Sequence, residues 1–214
     1  MFAAALLPAL LLALDFGRDA LGANPIEEVT HRTGKSAIVL LGLTLAVTPL
    51  RRLTGWNGVI RLRRMLGLFT YFYAVLHFLT WMVLDLYFDW GAIGGDIVDR
   101  PYITVGFTAL VLLTPLAITS TKGWVRRLGG RRWQLLHRLV HAVALLALVH
   151  FFWSQKRDVS EPVIFAAAFG VLLAARLVPA VARIRSRRAS AARPALAVEA
   201  GAAGSPDAPG TRLD

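Results

Sequence analysis

Six apolar stretches, roughly 2–17, 34–50, 65–88, 102–118, 134–153 and 161–181, alternate along the chain with short loops that hold most of its charge. A helix needs about 20 largely apolar residues to cross the hydrocarbon core of a bilayer. The pattern therefore predicts an all-α fold, a polytopic membrane bundle of six transmembrane helices, the first two of them short. Composition supports the bilayer as solvent, because 56% hydrophobic and 17% charged residues, with a mean hydropathy of +0.57, exceed what a water-facing globule requires.

The net charge of +11 does not indicate nucleic acid. Basic residues cluster in the loops between apolar runs, not among aromatics on one soluble face. Lys and Arg near helix ends stay on the cytoplasmic side, and the loops alternate accordingly. Arg51, Arg52, Arg61, Arg63 and Arg64 follow the second stretch; Lys122, Arg126, Arg127, Arg131, Arg132 and Arg138 follow the fourth; Arg183, Arg185, Arg187 and Arg188 follow the sixth. The intervening loops are acidic or balanced, with Asp15, Asp19, Glu27 and Glu28 in the first and Asp85, Asp89, Asp96 and Asp99 in the second. Both termini are expected in the cytoplasm.

The chain has no cysteine, which excludes disulfides, thiolate nucleophiles, iron–sulfur clusters and covalent c-type haem. The run from Phe2 to Leu14 lacks a basic leading region and a small-residue cleavage site, so it is expected to be a first membrane helix and not a cleaved signal. Residues 1–185 are expected to form the transmembrane domain. From about Ser186 onward Ala, Arg, Pro, Gly and Ser predominate, a composition that buries too little to offset chain entropy, so 186–214 is expected to be a disordered cytoplasmic tail. No internal repeat stands out.

Ionisable side chains inside a bilayer are costly and mark functional sites, and four of the five histidines fall in the apolar stretches. His77 lies in the third; His137, His141 and His150 lie in the fifth; His31 is in the first outward loop. At about 1.5 Å per residue, His77 and His150 come to the same depth on helices that run in the same direction. Two imidazoles at matched depth among Phe, Leu and Trp suit a six-coordinate haem. His137 lies deeper, towards the cytoplasm. At about 100° per residue His150 is turned well away from His137 and His141, so one straight helix cannot aim all three at the third helix. Either the fifth helix is distorted, or His137 and His141 serve another centre or none. A lone membrane histidine is otherwise explained by a hydrogen bond across a helix interface.

Other motifs carry little. Gly91-Ala-Ile-Gly94-Gly95 lacks the spacing of a dinucleotide fingerprint, and Leu128-Gly129-Gly130 is a helix-breaking turn. With no flavin or nicotinamide domain, electrons must come from a membrane quinol, a bound small flavin or a separate protein. The competing reading is a small proton-conducting or transporter protein whose buried histidines relay protons.

Several pieces in order, from about Gly22 to Arg176, resemble the MsrQ (YedZ) family, the haem-binding membrane subunit of the bacterial protein-methionine-sulfoxide reductase system, related to ferric-reductase-like membrane domains. They include His31-Arg-Thr-Gly34, Thr48-Pro-Leu50, Arg100-Pro-Tyr-Ile-Thr-Val-Gly106, Thr119-Ser-Thr121, Arg132-Trp-Gln-Leu-Leu-His137 and His150-Phe-Phe-Trp153. The resemblance implies six helices in the bacterial inner membrane, haem b and FMN. It further implies electrons drawn from membrane quinone and delivered to a periplasmic molybdopterin-containing catalytic subunit that reduces oxidised methionine in proteins. Such a chain has no substrate-reducing site of its own. By position, His77 and His150 match the family's principal haem-iron ligands and His137 its third histidine, while His141 has no match. Ferric-reductase domains of the wider family carry two histidines on each of two helices; here Arg63 stands fourteen residues before His77 and cannot ligate iron, so one haem is expected.

Overall fold

The second helix shows how local chemistry sets element boundaries in a computed structural model of the chain, which describes residues 2–155 and 158–176. Its apolar portion is 34–50, yet helix α2 runs over Pro25–Thr54, 30 residues or about 45 Å. Asn24 caps the start by accepting from the Glu27 N–H, and Pro25 occupies a first-turn position where a missing N–H costs nothing. Glu27 and Glu28 lie at the positive end of the helix dipole and Arg51 and Arg52 at the negative end. Gly55, in the left-handed region at φ 68°, closes the helix by donating to the Arg51 carbonyl.

Helix α1, Phe2–Gly17, carries Pro8 in its interior, and the buried Tyr73 compensates for the loosened backbone. Its hydroxyl donates to the Ala5 carbonyl (2.8 Å) and accepts from the Ala9 N–H (3.1 Å), inserting between two groups that an undisturbed helix would join directly. Helix α3, Ile60–Leu79, continues into a π-helical turn at Thr80–Asp85. Tyr87 and Phe88, at φ 46° and 61°, end the run expected at 65–88. A short helix that the apolar pattern did not disclose, α4 over Trp90–Asp99, is capped by Asp89, whose carboxylate accepts from the Gly91 and Ala92 N–H groups. Extended Arg100 before Pro101 separates it from α5, Pro101–Ile118.

The stretch expected as one helix over 134–153 is divided. Helix α6, Lys122–Leu136, is itself kinked at Gly129 (φ 74°, ψ 151°), as the Gly129-Gly130 pair foreshadowed. Helix α7 is Leu139–Ser154, and the two meet at a bend of 43°. At the bend Arg138 donates to the Leu135 carbonyl and His141 to the Arg138 carbonyl, tight one-turn bonds in place of the helical ladder. A last helix, α8, is described over 160–176. Positions 177–181 of the expected sixth span, and the expected tail, lie outside the described residues.

Residues 1–173 form one compact unit; 174–214 form a second, of which 174–176 are described. In the first unit α2 packs most extensively on α3 and α5 on α7, with α3 against α5 joining the two pairs. Ile38, Leu41 and Leu45 of α2 meet Leu113 and Leu116 of α5, Val140, Val143 and Ala144 of α7, and Phe169. Outward faces are just as apolar: Leu10, Val111 and Leu145 are each at least half exposed, an arrangement suited to lipid and costly in water. The described chain is all helical. Pro25–Thr54, Asn57–Asp85 and Pro101–Ile118 are long and apolar enough to cross a bilayer, the bent α6–α7 pair qualifies as a fourth span, and α1 is apolar but shorter. This is a membrane protein.

Candidate functional site

Where α3 approaches α7, the rings of His77 and His150 come together in a T-shaped arrangement, with centroids 6.0 Å apart and planes at 74°. Each ring is fixed by the helix behind it. His77 Nδ1 lies 2.9 Å from the Thr30 carbonyl oxygen of α2, and His150 Nδ1 lies 2.7 Å from the Tyr102 carbonyl oxygen of α5. A carbonyl can only accept, so both rings must carry their proton on Nδ1. The two Nε2 atoms are thereby left as lone-pair donors, the tautomer a metal-binding imidazole needs.

The spacing can be tested against a metal ion. Two metal–imidazole bonds of about 2 Å, extended to the ring centres on either side, separate those centres by about 6 Å. The observed separation fits one iron between the rings. Tyr102 stacks on His150 at 6.3 Å, and Phe78, the residue after His77, packs against Trp81 and Phe107 with centroids 5.6 and 5.7 Å away. Among the described residues no group of three His, Cys, Asp or Glu side chains could hold a metal without such a macrocycle.

His77 also lies beside the π-helical turn. The Thr80 hydroxyl donates to the His77 carbonyl (2.8 Å), and the Thr30 hydroxyl lies 3.3 Å from that of Thr80. A wide turn at this point re-aims the helix just beyond the histidine, a frequent role of π-bulges near sites.

The other histidines stand apart from this pair. His137 caps the end of α6, about 20 Å from His150 by helical rise. Its Nε2 is 3.1 Å from the Thr119 hydroxyl, its ring stacks on Trp133 at 4.0 Å, and the Trp133 indole donates to the Thr119 carbonyl. His141 Nδ1 bonds the Arg138 carbonyl within its own turn, and His31 is exposed. The bend at residues 137 and 138 resolves the rotational conflict of the fifth apolar stretch, since the three histidines need not share one straight helix. The carbonyls of Thr30 and Tyr102 had no signal in the sequence, because every residue carries that acceptor.

Residues 33–148 match the family model described as ferric reductase like transmembrane component. The chain is 54% identical over 189 residues to a Rhodospirillum rubrum protein, covering 88% of this chain and 91% of that one. It is 55% identical over 179 residues to one from Herminiimonas arsenicoxydans, covering 83% and 82%, and 51% identical over 195 residues to one from Xanthomonas campestris, covering 88% of each. All three relatives carry the name protein-methionine-sulfoxide reductase heme-binding subunit MsrQ. With a similarity that runs through nearly the whole chain and a fold that fits it, this protein belongs to the MsrQ family of ferric-reductase-like membrane proteins.

Proposed function

We propose that this chain is a haem b-binding electron-transfer subunit, with the haem iron held by His77 and His150. The close ring pair, centroids 6.0 Å apart, carries the reading. The haem-binding names of the relatives support it. Haem bound there supplies a one-electron couple. The protein's part is to hold both imidazoles in the Nδ1–H tautomer and to raise their basicity through the two carbonyl bonds.

In this reading six spans cross the bacterial inner membrane with both termini in the cytoplasm, a polarity supported by the basic loops at 51–64 and 122–138. The His77–His150 level then lies towards the periplasm, where a periplasmic catalytic subunit can collect electrons. His137 lies at the cytoplasmic end and serves a cofactor on the donor side. The family resemblance supports membrane quinone as the source, FMN as a second cofactor, and a molybdopterin-containing methionine sulfoxide reductase as the acceptor.

The reading is tested by absorbance of the purified full chain before and after dithionite. A Soret band with reduced α and β bands is expected in the wild type, with the band lost in His77→Ala and in His150→Ala. Colourless wild-type protein, or unchanged haem content in both variants, would refute it. Colourless protein that conducts protons in vesicles would identify the competing class.

A further inference from the structure

The contacts that fix His77 and His150 are two copies of one device. Thr30 and His77 are 47 residues apart and Tyr102 and His150 are 48 apart. In both cases a glycine stands four residues after the residue whose carbonyl accepts, Gly34 after Thr30 and Gly106 after Tyr102. Positions four apart lie on the same helix face. A helical carbonyl already accepts from the N–H four residues on, but its oxygen has a second lone pair. A side chain at that fourth position crowds it; a glycine leaves it bare.

The imidazoles occupy the space that the missing side chains leave. A Cβ on Gly34 would stand 3.0 Å from His77 Cε1 and 3.1 Å from its Nδ1, and one on Gly106 would stand 2.6 Å from His150 Nδ1 and 2.8 Å from its Cε1. Contacts this short force the ring to move. With the two sets superposed a repeat emerges that the apolar pattern had hidden. Gly34-Lys-Ser-Ala-Ile-Val-Leu-Leu41 and Gly106-Phe-Thr-Ala-Leu-Val-Leu-Leu113 are identical at five of eight positions, and each histidine is followed by phenylalanine, Phe78 and Phe151.

We infer that Gly34 and Gly106 are positioning residues for the haem, each baring a helix carbonyl and admitting an imidazole ring. The α2–α3 and α5–α7 pairs are thus two repeats of a single ligand-presenting unit. This rests on the haem reading above and goes beyond it, because it assigns the ligands' tautomer and aim to residues on neighbouring helices that do not touch the iron.

The experiment compares Gly34→Ala, Gly106→Ala and Gly42→Ala in the purified full chain. It reads haem affinity, the low-temperature electron paramagnetic resonance of the oxidised protein, and thermal unfolding. Gly42 is the control for crowding alone, since its Cβ would stand 3.1 Å from Phe169 Cε2, away from both histidines. Gly34→Ala and Gly106→Ala are expected to weaken haem binding by about 10- to 100-fold, Gly106→Ala the more strongly, and to shift the resonance of whatever haem remains. Gly42→Ala is expected to unfold at lower temperature with wild-type haem affinity and resonance. If Gly106→Ala does not accumulate, Gly34→Ala decides by the same readouts, its ring contact being the milder. Wild-type affinity and resonance in the glycine variants, alongside haem loss in His77→Ala and His150→Ala, would overturn the positioning role while leaving the haem reading intact. Haem retained in both histidine variants would overturn both.

Discussion

The His77–His150 level and the Arg63–His137 level are built to nearly the same spacing, fourteen residues along α3 and thirteen along the bent α6–α7 pair, yet only the first brings two imidazoles together. At the first, both rings have Nδ1 bonded to a backbone carbonyl and their centroids lie 6.0 Å apart. At the second, the α3 residue at the corresponding position is Arg63, whose guanidinium offers five donors but no lone pair. His137 there has its Nε2 against the Thr119 hydroxyl and its ring against Trp133. Depth and spacing alone do not make a ligand pair; each partner must also keep a ring nitrogen with a free lone pair.

The largest effect that could break this comparison is the loss of the Soret band in His77→Ala and His150→Ala. Either variant leaves one imidazole with no opposite ligand. His137→Ala is expected to keep haem content at the wild-type level and to slow reduction by a quinol analogue by about tenfold, measured by stopped-flow absorbance. Loss of the haem instead would place His137 among its direct supports. Tyr73→Phe tests whether the His77 helix depends on α1 for its stability. Removing a hydroxyl that bonds Ala5 and Ala9 is expected to cost about 1 kcal/mol, seen as a drop of a few degrees in Tm with the haem spectrum preserved. His141→Ala should change least, leaving spectrum and Tm at wild type, because among the described residues its ring bonds the Arg138 carbonyl of its own turn.

The charged groups around the site contribute little to holding it. Lys35 pairs with Glu161, each side chain about half exposed, and exposed pairs of this kind are worth roughly 0–1 kcal/mol. The buried interdigitation of Leu41, Leu45, Val143 and Ala144 is the stronger constraint on how α2 meets α7.

The positions of the helices were legible from the chain because lipid imposes length and apolarity on every span. Apolar stretches at 2–17 and 102–118 correspond almost residue for residue to α1 and α5. Boundaries set by local capping were less legible. The polar turns 25–33 join α2 only because Asn24, Pro25 and the two glutamates stabilise its start, and α4 depends on the Asp89 cap more than on hydrophobicity. The break at His137 and Arg138 falls on two polar residues with no proline or glycine beside them, so the sequence marked a polar step there but not a bend.

By itself the sequence determined the solvent, the helical class, and the equal depth of His77 and His150, because these follow from hydropathy and a fixed rise per residue. Only the tertiary structure decided which nitrogen of each ring stays free, that the bend separates His137 from the pair, and that Gly34 and Gly106 back the two imidazoles. Those outcomes depend on which helix lies behind each histidine, a relation between residues 47 and 48 positions apart that no local property of the chain encodes.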